Sequence, residues 1–166
     1  VAPDRVSHSS LAHIQSWRPY EESADGLTML MLNGLSDKPA EGLVPLAKSW
    51  LSAPKMTIAP GPFRAEGYDP AQKAYVADRS GPAAPAALVM TLRASADTPV
   101  VNPAFYVRNW GLAEPRIEID GRAALPSRDI RFGRVARLEG DDLVVWLRLE
   151  TTSPVRIAVR PADEPK

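Results

Sequence analysis

The chain has 166 residues, 45% of them hydrophobic and 24% charged, which is ample for one hydrophobic core and unlike a disordered or collagen-like sequence. Twenty basic residues balance 20 acidic ones, residues 1–83 and 84–166 are each close to neutral, and no feature of the overall charge favours a polyanionic partner. Cysteine is absent, which excludes a disulfide framework, an iron–sulfur cluster, a zinc ribbon and a thiol nucleophile, while 17 prolines favour many short elements over long helices and central strands.

Residues 1–10 show no periodicity and read as an arm or linker, leaving residues 11–160 as a single domain and 161–166 as a tail. Val1 in place of an initiator methionine leaves open a processed protein, a cut fragment or an excised domain. The alternation from Leu11 to Trp17 suits a strand closed by Pro19, and the apolar run from Leu27 to Leu32 suits a strand buried on both faces. Leu43, Leu46, Trp50 and Leu51 recur at helical spacing and predict one short helix near residues 43–51, with Pro45 in its first turn. From Lys55 to Pro70, prolines and glycines favour loops and edge segments.

A short strand is expected over Lys73–Arg79, then an Ala/Pro connector whose PAAP matches P-x-x-P but reads as extended backbone. Leu88, Met90 and Leu92 then share one strand face. In the strand Ala104–Trp110, Phe105, Val107 and Asn109 form one face, and Tyr106, Arg108 and Trp110 the other. Ile117 and Ile119 point inward before an Asp120-Gly121 hairpin turn that requires positive φ. The strand from Arg131 to Leu138 is expected to be broken by a bulge at Gly133. The strand Leu143–Leu149 places Leu143, Val145, Leu147 and Leu149 inward, and Val155, Ile157 and Val159 face inward on the last strand. Eight to ten short strands with turn residues between them predict an all-β fold, an antiparallel β-sandwich of jelly-roll or immunoglobulin-like kind. The lack of crossover helices argues against a parallel α/β fold.

Few motifs carry chemistry. His8 and His13 have no cysteine to join them, so a zinc site would need distant carboxylates and none is expected. The acidic turn Glu139-Gly140-Asp141-Asp142 could offer oxygens to calcium, but its spacing matches no calcium loop and suits a hairpin turn, so no cofactor is expected. Ser52 and Lys55 fit S-x-x-K, yet Pro54 opposes the helical turn that would join them. Glu118 and Asp120 lie two apart on one strand, a spacing that suits a carboxylate pair and equally the solvent face of a hairpin. Neither phosphate-binding glycine motif occurs. Arg128, Arg131, Arg134 and Arg137 recur every third residue, but on a strand they face opposite sides and acids neutralise them, so no nucleic-acid partner is expected. No apolar run reaches the roughly 18–20 residues that would span a bilayer, and no membrane partner is expected either.

The remaining signal is aromatic. Tyr106, Arg108 and Trp110 on one strand and Trp146 and Arg148 on another would lie on the outer face, where flat rings stack on sugar rings and arginines donate to hydroxyls. Alternatively, this face is covered and its rings are core. The runs NPAFYVRNWG, IEIDGR, RFG and LVVWLRL resemble the C-terminal accessory β-sandwich modules found beside catalytic domains in bacterial polysaccharide-degrading enzymes, over roughly residues 86–160. The resemblance implies a secreted or periplasmic setting, a neighbouring catalytic domain or chain as partner, a polysaccharide ligand and a supporting role, and it transfers no catalytic residue. The expected function is therefore a non-catalytic accessory module that packs on its neighbour. The alternatives are a stand-alone lyase or hydrolase using Glu118, Asp120 or Tyr106, and an assembly protein using the apolar N-terminal half as an interface.

Overall fold

The computed structural model describes residues 39–80, 85–124, 130–138 and 140–162. The expected strands at 11–17 and 27–32, both histidines, Arg128, Glu139 and most of the PAAP connector lie outside them. The chain divides into two compact units, Val1–Ser52 and Ala53–Lys166.

In the first unit, the described element is helix α1, Ala40–Leu51. It starts earlier than residue 43, so Pro45 sits beyond the first turn and the bond its missing N–H would give to Glu41 is lost. Leu43, Leu46 and Ala47 are buried, but Leu51 is exposed, contrary to its expected place on the apolar stripe. Ser49 Oγ donates to the Leu46 carbonyl at 2.7 Å, which satisfies a buried hydroxyl. Ser52 is the C-cap and residues 53–55 are not helical, so Ser52 and Lys55 do not share a helical turn.

The second unit is all β. Its strands are β1 Met56–Ile58, β2 Phe63–Asp69, β3 Ala74–Arg79, β4 Leu88–Leu92, β5 Val100–Val101, β6 Ala104–Val107, β7 Pro115–Ile119, β8 Arg122–Ala124, β9 Ile130–Arg137, β10 Gly140–Leu147, β11 Glu150–Thr151 and β12 Val155–Pro161. One sheet has the order β1-β4-β12-β7-β8 and is antiparallel throughout. The other has the order β2-β3-β6-β10-β9 and is antiparallel except for the parallel β3–β6 pair. Two-residue strands β5 and β11 pair separately. As the prolines require, β1 and β2 are both edge strands, and Pro60-Gly61-Pro62 carries the chain from one sheet to the other.

Period-2 alternation builds the core. Leu88, Met90, Leu92, Ile117, Val155, Ile157 and Val159 of the first sheet meet Tyr75, Ala77, Phe105, Val107, Leu143, Val145 and Leu147 of the second, as a sandwich requires. Tyr75 stacks on Phe105 with centroids 5.6 Å apart, and Tyr68 meets Tyr75 edge-on at 5.1 Å. One local expectation needs correction and another is met. Strand β9 is regular, with Gly133 paired to Val144, and no bulge interrupts it; the irregularity lies in β2 between Ala65 and Gly67, where Gly67 has φ 100°. The β7–β8 hairpin turns through Asp120 at φ 49° and Gly121 at φ 77°, the positive pair its sequence demands.

Candidate functional site

The outer face of the second sheet follows from its register. One row reads Arg131, Trp146, Ala104, Ala74 across β9, β10, β6 and β3, and the next reads Gly133, Val144, Tyr106, Val76. Rows lie about 7 Å apart and strands about 4.8 Å apart. Ala74 and Val76 are buried, Trp146, Val144 and Tyr106 are half-buried, and Arg131, Gly133 and Val135 are exposed, so the face opens toward the β9 edge.

Of the expected aromatic patch, Tyr106 and Trp146 share this face and Trp110 does not. Strand β6 ends at Val107, and Asn109 adopts φ 55°, which shifts the alternation and sends Trp110 to the core side. Trp110 is only 2% exposed, stacks on Phe63 at 6.1 Å, and donates its indole N–H to the Ala113 carbonyl at 2.9 Å. Its expected outward projection is therefore wrong. Arg108, one residue beyond β6, donates to Glu66 of β2 at 2.9 Å and so reaches across β3. Arg148 is exposed, one residue beyond the end of β10.

Trp146 instead has Arg131 beside it, with the guanidinium carbon 5.5 Å from the ring centroid, a cation–π contact. Neither Arg131, whose charge neighbouring acids are expected to neutralise, nor Gly133, expected to break its strand as a bulge, is marked by the sequence as part of this face. Pairing symmetric about the short connection between β9 and β10 sets Arg131 opposite Trp146 and Gly133 opposite Val144. A Cβ at Gly133 would meet nothing within 4 Å, so the surface steps down beside the indole.

The acids of this region hold the fold. Asp142 has no exposed surface and accepts from Arg137 Nε at 2.6 Å and Nη2 at 2.7 Å, from the Tyr106 hydroxyl at 2.7 Å and from the Asn109 backbone N–H at 2.9 Å. Burial pushes its pKa up, but the Arg137, Asn109 and Tyr106 hydrogen bonds together outweigh this and hold the carboxyl below its ordinary range. The hydrogen bond to Asp142, with burial, raises the Tyr106 hydroxyl above its ordinary value. Glu118 accepts from Arg160 Nε at 3.1 Å, and Asp120, at the β7–β8 turn, accepts from the Arg156 backbone N–H of β12 at 2.8 Å, so each carboxylate of the candidate pair already has a structural donor. Among the described residues, no three His, Asp or Glu side chains cluster as a metal site would require.

A separate apolar cleft of about 250 Å³ opens where the β7–β8 edge meets β9, lined by Ile117, Ala123, Ala124, Ile130 and Phe132 among others. No described helix is long and apolar enough to cross a membrane. Compared with protein-family models, curated proteins and solved structures, the chain matches none.

Proposed function

We propose that this chain is a non-catalytic accessory β-sandwich module of a larger carbohydrate-active protein, secreted or periplasmic, that packs on a neighbouring catalytic domain or chain and contacts glycan through the outer face around Trp146. The observation that carries this reading is the half-exposed Trp146 ring with Arg131 over it, at the open edge of a sheet whose other large rings lie mostly inside. An indole in that position offers an apolar surface for the C–H face of a pyranose, and the guanidinium supplies directional donors to oxygens. Tyr106, one row away, adds half-buried ring surface while its hydroxyl is held by Asp142.

The reading is tested by isothermal titration of the 166-residue chain against a panel of plant, algal and bacterial polysaccharides, with Trp146→Ala alongside. Binding to at least one polymer is expected, weakened in Trp146→Ala by about tenfold or more, since stacking on a ring contributes about 1–3 kcal/mol by analogy with base–aromatic contacts. Absence of heat with every polymer, or identical binding by the variant, overturns it.

A further inference from the structure

Five arginines of the sandwich are spoken for by acids: Arg64 pairs with Asp78, Arg108 with Glu66, Arg134 with Glu114, Arg137 with Asp142 and Arg160 with Glu118. Arg131 differs. It is exposed, its guanidinium lies 5.5 Å from the Trp146 ring centroid, and no described carboxylate pairs with it. Stacking on an indole leaves the in-plane N–H donors of a guanidinium pointing away from the ring, so a cation held this way keeps its charge and its fork available.

Beside this pair the sheet surface drops. Gly133 carries no side chain, Val144 next to it is half-buried, and Val135 closes the low ground one row further along β9. The step is bounded by an apolar ring on one side and at its rim by Arg131, which no described carboxylate neutralises.

Resting on the glycan reading above, we infer that this step takes one anionic sugar residue of an acidic polysaccharide. The C–H face of the sugar lies against Trp146 and Val144 over Gly133, and its carboxylate or sulfate accepts from the Arg131 guanidinium. A neutral sugar would leave that donor fork to water, so charge complementarity sets the ligand class, and a bidentate anion suits a planar fork better than a hydroxyl does.

Gly133 supplies a test that separates occupancy from folding. It lies mid-strand without positive φ and faces open space, so Gly133→Val fills the step while removing the backbone freedom that glycine gives the unfolded chain. The full chain, Arg131→Gln and Gly133→Val are titrated with polygalacturonate and alginate as carboxylate polymers, with chondroitin sulfate as a sulfated one, with hydroxyethylcellulose and xyloglucan as neutral ones, and with polyglutamate as an anion without sugar. Binding is expected only with anionic saccharides, the carboxylate and sulfate arms showing which charge is read. Arg131→Gln should weaken it about tenfold to a hundredfold. Gly133→Val should weaken it at least tenfold while its unfolding midpoint stays level or rises. Equal binding of neutral polymers, equal binding of polyglutamate, or undiminished binding by either variant overturns the inference. If neutral polymers bind and Trp146→Ala abolishes it, the glycan reading survives alone; if nothing binds, both fall.

Discussion

The two tryptophans after residue 100 of the second sheet are chemically alike and do opposite work. Trp110 is enclosed against Phe63 with its N–H satisfied, whereas Trp146 keeps part of its ring at the surface under Arg131. Truncating the first removes a large buried ring and leaves a cavity, so Trp110→Ala should cost about 3–5 kcal/mol of stability. Truncating the second forfeits a partly exposed contact and a surface cation–π pair, about 1 kcal/mol or less. Urea unfolding followed by far-ultraviolet circular dichroism distinguishes them, and comparable losses for the two would contradict the placement of Trp110. Nothing in the alternation of AFYVRNW separates these residues, because it predicts that 106, 108 and 110 share a face. The separation comes from Asn109, one of the few non-glycine types that enter the left-handed region readily, with Gly111 two residues on at φ 90°. An Asn-Trp-Gly run closing a strand is the local sign that the alternation stops there.

At the scale of elements, what the sequence makes legible is whatever depends on period 2 or on turn chemistry. The inward sets 88, 90, 92 and 155, 157, 159 are buried as their alternation requires, because each strand has one face on the core. The Asp120-Gly121 turn is legible for a different reason, since few dipeptides tolerate two positive φ values. Gly121→Ala should therefore cost about 1–2 kcal/mol although a Cβ there touches nothing, the whole penalty being backbone conformation. Gly133→Ala, equally unobstructed but at ordinary φ, should be neutral or stabilising; thermal melts of the pair check this, and equal losses would show that the turn does not impose the strain. Register is less legible. Which residue faces Trp146 depends on where the β9–β10 connection reverses, and a shift of one residue would put Phe132 or Ile130 there in place of Arg131. The candidate site was hidden for that reason: its aromatic half was readable along one strand, and its arginine and glycine half only across two. The β5–β11 ladder, two residues on each side, is too short for any periodicity to register.

Across the sandwich as a whole, Asp142 ties together the three strands that carry the candidate site. Arg137 is the last residue of β9, Tyr106 lies on β6, Asn109 is the corner after β6, and the carboxylate itself stands on β10. Because its folded pKa is depressed, its contribution is fully present above the ordinary carboxylate value of about 4 and is lost as the pH falls through the folded value. Tyr106 works in the opposite sense: with its pKa raised, its contribution is present below the ordinary phenol value of about 10 and is lost as the pH rises through the folded one. Replacing Asp142 by Asn keeps the shape and removes the charge. It should cost about 2–3 kcal/mol at pH 7, toward the lower end for a broken buried pair, because Arg137 is partly exposed and can rehydrate. The cost should shrink below about pH 4, where the unfolded wild-type chain takes up a proton at this carboxyl while the folded one, its pKa depressed, still resists. Urea midpoints for both proteins at pH 7 and pH 3 measure the difference directly. If the gap between them is unchanged on acidification, the charge of Asp142 is not what holds β6, β9 and β10 in register. The face around Trp146 would then owe its geometry to the apolar core alone.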